Sequence, residues 1–314
     1  MNKYSILLVI CCLPKLCFNQ DTVNVSTCRN DSCRVYAAKK ATRLLQKNYL
    51  KLLREDFSRQ VTAPFHLNRN DWLKLGISGI ITSVLFSSDE AVRNNAIEFR
   101  KKSSFIRSIS PFITQFGGKY EIYTLGALTA RSIISKNEKL KTTVLLATQA
   151  YLTSSVWVDL LKATTGRVKP FYQPSGNEEM EPNWYWPFYQ FARNKNGKKN
   201  GESNFSAFPS GHTAVAFAVA TVFAKQYRDN AIVPILAYSV ASMVGVTRVI
   251  ENTHWASDIP IAAALGYVCA KQVLNNYHRF IGLNSYKNKK ENLLDFDIRY
   301  NHGVLMSHFV YTFR

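Results

Sequence analysis

Two histidines and one aspartate in the second half of the chain have the types and spacing needed to transfer a phosphoryl group. His212 ends the stretch Pro-Ser-Gly-His, and His254 is followed four residues later by Asp258. A neutral imidazole can attack phosphorus, and a protonated imidazole can donate to the leaving oxygen. A carboxylate one helical turn away can fix the tautomer of the attacking ring. We therefore predict His254 as the nucleophile, His212 as the general acid and Asp258 as the residue that orients His254.

Five further residues are candidates for binding the phosphate. The transition state spreads negative charge over its equatorial oxygens and needs fixed positive groups around it. Arg248 can bind two oxygens at once, and Lys162 and Lys169 can supply point charges. Ser210 can cap the helix that follows, and Gly211 lets the backbone approach an anion closely. No metal is expected in this site, because no matching cluster of ligands accompanies the histidines.

Each of these elements has an ordinary structural interpretation when it is taken alone. Pro-Ser-Gly-His is also a common turn and helix cap, a lone His-x3-Asp pair is more often structural, and single lysines or arginines are usually solvated surface charges. The three elements occur together and in order, however, and Arg248 and Lys162 adjoin strongly apolar stretches. The combination therefore favours a catalytic site.

Most of the chain around these motifs has apolar residues at helical spacing, so helices are expected to position the site. It predicts helices over about 36–60, 71–86, 89–108, 119–136, 138–165, 211–227, 231–248 and 256–280. Asp71 is the expected N-cap of the helix that ends at Phe86. Pro260 is tolerated in the first turn of a helix. This places His254 just before the last predicted helix and Asp258 in its opening turn.

The fold class predicted from these elements is an all-α helical bundle. Its most apolar stretches, at about 143–161, 231–247 and 259–270, contain polar breaks that are unusual in a membrane span. The mean hydropathy of the whole chain is −0.14. We therefore expect a soluble bundle with buried central helices, and an integral membrane protein is the structural alternative. The tail alternates in polarity around a turn, which predicts a short C-terminal β-hairpin.

Composition and the N-terminus indicate an exported protein with an acidic partner. The 314 residues carry a formal charge of +19, but no basic repeat or zinc pattern suggests a nucleic-acid partner. A phosphorylated substrate or peripheral contact with an anionic membrane fits the charge. The first 20 residues or so resemble a signal peptide, which implies a periplasmic or other extracytoplasmic location. A retained N-terminal anchor is the alternative.

The domain prediction follows from these segments. It comprises a signal peptide (1–20), an accessory helical region (21–70), a phosphatase core (71–280) and a tail with the hairpin (281–314). In an oxidising compartment Cys28 and Cys33 could form a local disulfide, whereas Cys269 is expected to be a buried thiol. The aromatic-rich connection over residues 171–207 is predicted to be a lid over the substrate, or a surface excursion that is packed by its own aromatic side chains.

The three motifs resemble those of the type 2 phosphatidic acid phosphatase and vanadium haloperoxidase superfamily, over roughly residues 120–280. That family shows Lys-x6-Arg-Pro, then Pro-Ser-Gly-His, then Ser-Arg-x5-His-x3-Asp. The resemblance implies an all-α bundle, metal-free phosphatase chemistry and the residue roles given above. Two positions depart from the pattern, since Lys169 stands for the family arginine and Thr247 for the serine. Arg167 is a candidate to replace the missing guanidinium.

The expected function is therefore an exported phosphatase that acts on phosphomonoesters or on lipid phosphates and pyrophosphates through a phosphohistidine. It needs no cofactor, and vanadate should inhibit it because vanadate mimics the pentavalent transition state. Two alternatives stay open. One is a haloperoxidase that uses vanadate as its cofactor. The other is a non-catalytic protein that binds phosphate or lipid phosphate.

Overall fold

Ten helices account for most of the chain that the structure describes. In the computed structural model the described residues are 31–63, 69–171, 182–192, 204–291, 294–301 and 304–311. The helices are α1 (Asp31–Lys47), α2 (Tyr49–Thr62), α3 (Arg69–Phe86), α4 (Asp89–Lys102), α5 (Ser104–Thr114), α6 (Lys119–Ile134), α7 (Glu138–Thr165), α8 (Gly211–Gln226), α9 (Ile232–Ile250) and α10 (Asp258–Glu291). The prediction of a helical architecture is confirmed.

Two predicted features of the chain ends are not settled by this architecture. The signal peptide and the Cys28–Cys33 pair lie outside the described residues. Beyond α10, the segments β1 (Leu294–Asn301) and β2 (Val304–Tyr311) run antiparallel. The helical bundle does not include this tail, and a C-terminal hairpin as a stable element of the fold stays a prediction.

Local polar side chains divide two of the predicted helices. Asn48 separates α1 from α2, and its side-chain amide donates to the carbonyl of Leu44 at 3.0 Å. Ser103 separates α4 from α5 with an extended backbone, and its hydroxyl caps α5 by accepting from the backbone N–H of Ile106. Such side chains compete with the helical hydrogen bonds and favour caps. The predicted cap at Asp71 is wrong, because α3 begins two residues earlier at Arg69.

Helix α8 is the centre of the bundle, and α7, α9 and α10 pack around it. Its sequence is mostly alanine, valine and other small residues, so neighbouring helices approach closely. At Gly266 in α10, a Cβ atom would overlap the carbonyl oxygen of Ala214 in α8. The core therefore depends on small residues at the α8–α10 contact. Cys269 is a buried free thiol, as predicted.

Helix α9 does not fit the predicted soluble bundle with buried central helices. Both α7 and α9 are long and apolar enough to span a membrane, with mean hydropathies of 1.3 and 1.6 over their most apolar windows. Only 22% of that window is buried in α9, against 44% in α7. The expected burial is therefore wrong for α9. Its exposed apolar side chains are Ile232, Ile235, Leu236 and Met243.

The close contact between α8 and α10 gives a matched pair of substitutions in one helix. Gly266→Ala should destabilise the protein by about 1–3 kcal/mol or more, because the added methyl has no space and the backbone must shift. Gly282→Ala is the control, since nothing lies within 4 Å of a Cβ there. It should be neutral, or stabilising by about 0.5–1 kcal/mol through helix propensity. Thermal unfolding measures both, and equal midpoints for the two variants would contradict the packing described here.

Candidate active site

Hydrogen bonds between loops bring the three sequence motifs together at one end of the bundle. The segment after α7 pairs with the segment before α8, where the backbone N–H of Ala207 donates to the carbonyl of Arg167 at 3.0 Å. The indole of Trp255 donates to the carbonyl of Val168 at 2.7 Å. The N–H of Ser210 donates to the carbonyl of Asp258 at 3.4 Å. All three motifs therefore border one site.

The predicted nucleophile is buried, and a backbone carbonyl fixes its ring. Nδ1 of His254 lies 2.6 Å from the carbonyl oxygen of Ala207. A carbonyl can only accept, so Nδ1 carries the hydrogen and Nε2 keeps its lone pair. The nearest oxygen of Asp258 is farther from Nδ1, at 3.4 Å. The predicted orienting hydrogen bond from Asp258 is thus made by Ala207, and Asp258 contributes its charge from slightly farther away.

Asp258 is the first residue of α10 and is fully buried. Its Oδ2 accepts the backbone N–H of Trp255 at 2.8 Å, and its Oδ1 accepts a very short hydrogen bond from Arg167. Burial raises the pKa of this carboxyl, and the charge of Arg167 opposes that rise. Asp258 therefore holds the turn that carries His254 as well as lying beside the ring.

Arg167 does not replace the missing phosphate-binding arginine, so that hypothesis is wrong. Its side chain is completely buried and its guanidinium also donates to the carboxylate of Asp89 at 2.6 Å and to the hydroxyl of Ser257 at 2.8 Å. Its two terminal nitrogens therefore donate only within the protein, and its Nε is buried with no hydrogen-bond partner among the described residues. Three aromatic rings pack against it, with ring centroids 4.9–5.7 Å from the guanidinium carbon: Phe86, Trp184 and Trp255.

The predicted acid, His212, lies in the first turn of α8 among positive charges. Burial lowers the pKa of His212 to about 3, and the charges of Arg248, His254, Lys162 and Lys169 contribute in that order. Burial and the same cations also hold the pKa of His254 well below its usual range. Both rings are therefore neutral near pH 7, and an anion that binds at the site would offset the cations and raise both pKa values.

The cations come from two helices and a loop: Lys162 from α7, Arg248 from α9 and Lys169 from the segment after α7. Nζ of Lys162 lies 3.3 Å from the position that a Cβ atom on Gly211 would occupy. Arg248 donates to the carboxylate of Glu251 at 3.3 Å, and its Nε is buried with no hydrogen-bond partner among the described residues. Nζ of Lys169 lies 5.7 Å from the ring centre of Phe171. A side chain on Gly211 would enter the space beside Lys162.

The hydroxyl groups of Ser210 and Thr247 both contact threonine hydroxyls, and the predicted cap by Ser210 is not formed. Ser210 occupies the N-cap position of α8, but its hydroxyl accepts from the hydroxyl of Thr213 at 2.9 Å and caps no backbone N–H. Thr247, which stands where the family has serine, contacts the hydroxyl of Thr114 at 3.1 Å. The free N–H groups at the start of α8 are therefore left for an anion.

Several residues at the site gave no recognisable signal in the sequence. Gly118 packs against the acid, since a Cβ there would lie 3.0 Å from Nε2 of His212. A glycine pair at 117–118 between two helices is the one hint that the sequence offered. The carbonyl of Ala207 has no side-chain signature at all. Asp89 reads as an ordinary acidic residue in the first turn of a surface helix, although it is buried.

The described parts of the aromatic connection lie beside the site and pack on one another. Tyr185 stacks on Tyr189 with ring centroids 4.4 Å apart, and both rings contact Phe205. The N–H of Tyr185 donates to the carbonyl of Gly166 at 3.2 Å. Residues 172–181 and 193–203 lie outside the described residues, so the predicted lid stays a prediction.

The predicted residues of the candidate site lie in a region that matches a known protein family. The model of the PAP2 superfamily matches residues 142–281. Residues 142–281 belong to the PAP2 superfamily. This PAP2 region contains both histidines, Asp258 and all five predicted phosphate-binding residues. Asp89 and Gly118 lie outside it.

Individual relatives match less of the chain. A lipid A 1-phosphatase from Porphyromonas gingivalis is 45% identical over 62 residues, which is 19% of this chain and 14% of that protein. The crystal structure of Aquifex aeolicus LpxE aligns at 20% identity and TM-score 0.38, covering 55% of this chain and 88% of that one. The crystal structure of a transmembrane PAP2 type phosphatidylglycerolphosphate phosphatase from Bacillus subtilis aligns at 18% identity and TM-score 0.42. It covers 68% of this chain and 94% of that one.

The lowered pKa of His212 predicts a specific response to acid. The unfolded chain binds a proton at this residue below about pH 6.5, but the folded protein does so only near pH 3. Stability is therefore lost as the pH falls through this window, at a slope of about 1.4 kcal/mol per pH unit for one proton. His212→Gln should remove that part of the slope. Unfolding midpoints at several pH values test this, and an unchanged acid slope in the variant would contradict it.

The contact between Gly118 and His212 predicts a loss of activity without a loss of fold. In Gly118→Ala the added methyl would lie about 3.0 Å from Nε2 of His212 and should displace the ring. Displacing a catalytic group by a fraction of an ångström can cost about 10- to 100-fold in kcat. Gly126→Ala in α6 is the control, since nothing lies within 4 Å of a Cβ there. Phosphate release by the two purified variants makes the comparison, and equal rates would show that Gly118 is not part of the site.

Proposed function

We propose that this protein is a phosphatase of lipid phosphates or other phosphate monoesters, and that it works through a phosphohistidine without a metal. The observation that carries the proposal is the tautomer of His254. Its Nδ1 hydrogen is committed to the carbonyl of Ala207, so Nε2 keeps a lone pair beside the cations that would bind a phosphate. A protein that only bound phosphate would gain nothing from a nucleophile held in this way.

The first half of the reaction uses the two histidines in sequence. Nε2 of His254 attacks phosphorus, a nitrogen–phosphorus bond forms and the ester bond to the leaving oxygen breaks. His212 gives its proton to that oxygen. Its pKa is about 3 when only protein groups surround it, so it must gain this proton as the substrate binds. The negative charge of the phosphate offsets the neighbouring cations and makes this protonation favourable.

The second half returns the site to its starting state. Water attacks the phosphoryl group, its proton passes to His212 and the bond between His254 and phosphorus breaks. Inorganic phosphate then leaves. The covalent intermediate places positive charge on the ring of His254 if Nδ1 keeps its hydrogen. The carboxylate of Asp258, 3.4 Å from Nδ1, stabilises that charge.

The exposed apolar helices support a lipid substrate and an association with a membrane. Lys162 lies near the C-terminal end of α7 and Arg248 in the last turn of α9, the two helices that are long and apolar enough to span a bilayer. If these helices lie in a membrane, their ends lie at its surface, where lipid head groups are found. The phosphate of a lipid would then reach the cations while its chains stay in the bilayer. The lipid A 1-phosphatase acts on a substrate of this class, as its name states.

Location is the part of the proposal that depends on the N-terminus. We infer that the chain is exported and works on the extracytoplasmic side of the membrane, because the first 20 residues or so resemble a signal peptide. The formal charge of +19 favours contact with an anionic membrane surface. Protease accessibility of the catalytic end in intact cells would test this orientation.

The decisive experiment measures phosphate release by the purified chain from a lipid phosphate in detergent micelles and from a soluble aryl phosphate. We expect turnover that resists EDTA, is inhibited by vanadate and prefers the lipid. His254→Ala should lower kcat by about 10³-fold or more, because the nucleophile is lost. His278→Ala changes a histidine late in α10, outside the site, and is the matched control. Full activity in His254→Ala would refute the phosphohistidine, and preference for the aryl phosphate would refute a lipid substrate.

A further inference from the structure

Helix α4 lies outside the PAP2 region, yet it contacts the loop that carries His254 at two points. Asp89, the first residue of α4, has a fully buried side chain. Its Oδ1 accepts the backbone N–H of Ser257 at 2.9 Å, and its Oδ2 accepts the hydroxyl of the same residue at 2.6 Å. One turn later, Nε of Arg93 donates to the side-chain carbonyl of Asn252 at 3.0 Å.

We propose that Asp89 is a positioning residue of the active site, and that α4 holds the nucleophile loop at both ends through Asp89 and Arg93. This inference rests on the proposed function, because it assigns α4 a part in phosphoryl transfer by His254. It also makes a statement about the loop itself that can be measured without turnover.

The geometry of the loop explains why it needs holding. Between α9 and α10 the chain must turn back within a few residues, and Asn252 adopts a left-handed backbone with φ of 56°. That conformation is unfavourable for a residue with a side chain, although asparagine tolerates it better than most. The hydrogen bond from Arg93 holds the asparagine in this conformation. His254 lies between the two contacts with α4, so both ends of its loop are fixed.

Charge gives Asp89 a second effect on the nucleophile. The guanidinium of Arg167 is shared between Asp89 and Asp258, and all three side chains are fully buried. Burial raises the pKa of both carboxyls, and the guanidinium that they share favours their ionised forms. With both carboxyls ionised, the cluster carries one net negative charge. Asp258, one of the two carboxylates, lies 3.4 Å from Nδ1 of His254 and brings this charge close to the ring. Without the charge of Asp89 the pair of Arg167 and Asp258 would be neutral, and the positive ring of the phosphohistidine would lose part of its stabilisation.

Asp89→Asn is the substitution that separates this role from simple packing. It keeps the size of the side chain and removes the charge. We expect kcat to fall by about 10- to 100-fold, the range seen for residues that orient a catalytic group. KM should change by less than about 3-fold, because Lys162, Lys169 and Arg248 still bind the phosphate. Glu90→Gln is the matched control, since Glu90 is the next residue of α4 and is exposed.

A second pair of variants separates the two effects of Asp89, which are its hydrogen bonds to the loop and its buried charge. Ser257→Ala removes the hydroxyl hydrogen bonds to Asp89 and Arg167 but keeps the backbone bond to Asp89 and the buried charges, so we expect a decrease in kcat of only a few fold. Arg93→Gln loosens the loop at Asn252 and leaves the buried charges as they are, and a decrease of similar size is expected. If Asp89→Asn does not fold, Arg93→Gln carries the test, and an unchanged kcat there would overturn the role of α4.

Hydrogen exchange keeps this test independent of the proposed function. In Asp89→Asn the backbone amides of residues 252–258 should exchange faster than in the wild type and in Glu90→Gln, with the rest of α10 unchanged. If the wild type releases no phosphate from any substrate, the proposed function fails, and this exchange result still decides whether α4 holds the loop. A folded Asp89→Asn protein with unchanged exchange and unchanged kcat would overturn the inference.

Discussion

The guanidinium of Arg167 has no access to water, so its charge must be balanced inside the protein. Burying an ion costs several kcal/mol unless partners replace its hydration. Here two carboxylates and a hydroxyl accept hydrogen bonds from the guanidinium. They come from different parts of the chain: Asp89 from α4, Asp258 from the start of α10 and Ser257 from the loop before α10. The three aromatic rings around the guanidinium exclude water from the cluster.

This cluster fixes the loop that carries His254, the predicted nucleophile. Arg167 follows α7, whose last turns carry Lys162, and its carbonyl accepts from Ala207. The carbonyl of Ala207 in turn fixes the ring of His254. A phosphate-binding cation, the tautomer of the nucleophile and the loop that carries it are therefore tied to one buried charge. Removing that charge would leave two uncompensated carboxylates, so the site cannot relax around a missing Arg167 at low cost.

The sequence allowed the helical architecture and the candidate residues to be predicted, but it did not allow their contacts to be predicted. Regular apolar spacing marks helices such as α7, whose predicted bounds match the structure, because burial of one face decides the helix. Reactive residue types at fixed spacing in two motifs allowed His212 and His254 to be predicted. The hydrogen bond from His254 to the carbonyl of Ala207 could not be predicted, since a backbone carbonyl has no residue type to recognise. Arg167 looked like a spare phosphate ligand because burial of a charge depends on tertiary contacts that lie far apart in sequence.

The low pKa of His212 and the exposed apolar helices have a common consequence for substrate choice. Burial and the neighbouring cations keep both histidines neutral, so in the proposed mechanism His212 cannot donate a proton until an anion binds. Binding and acid catalysis are therefore coupled, and a neutral head group would neither be held nor activate the acid. Exposed apolar residues along α9 would contact the chains of an amphiphile, and Arg248 lies at the C-terminal end of the same helix. The proposed substrate, a lipid phosphate, satisfies both conditions, because one molecule combines an apolar body with an anionic phosphate.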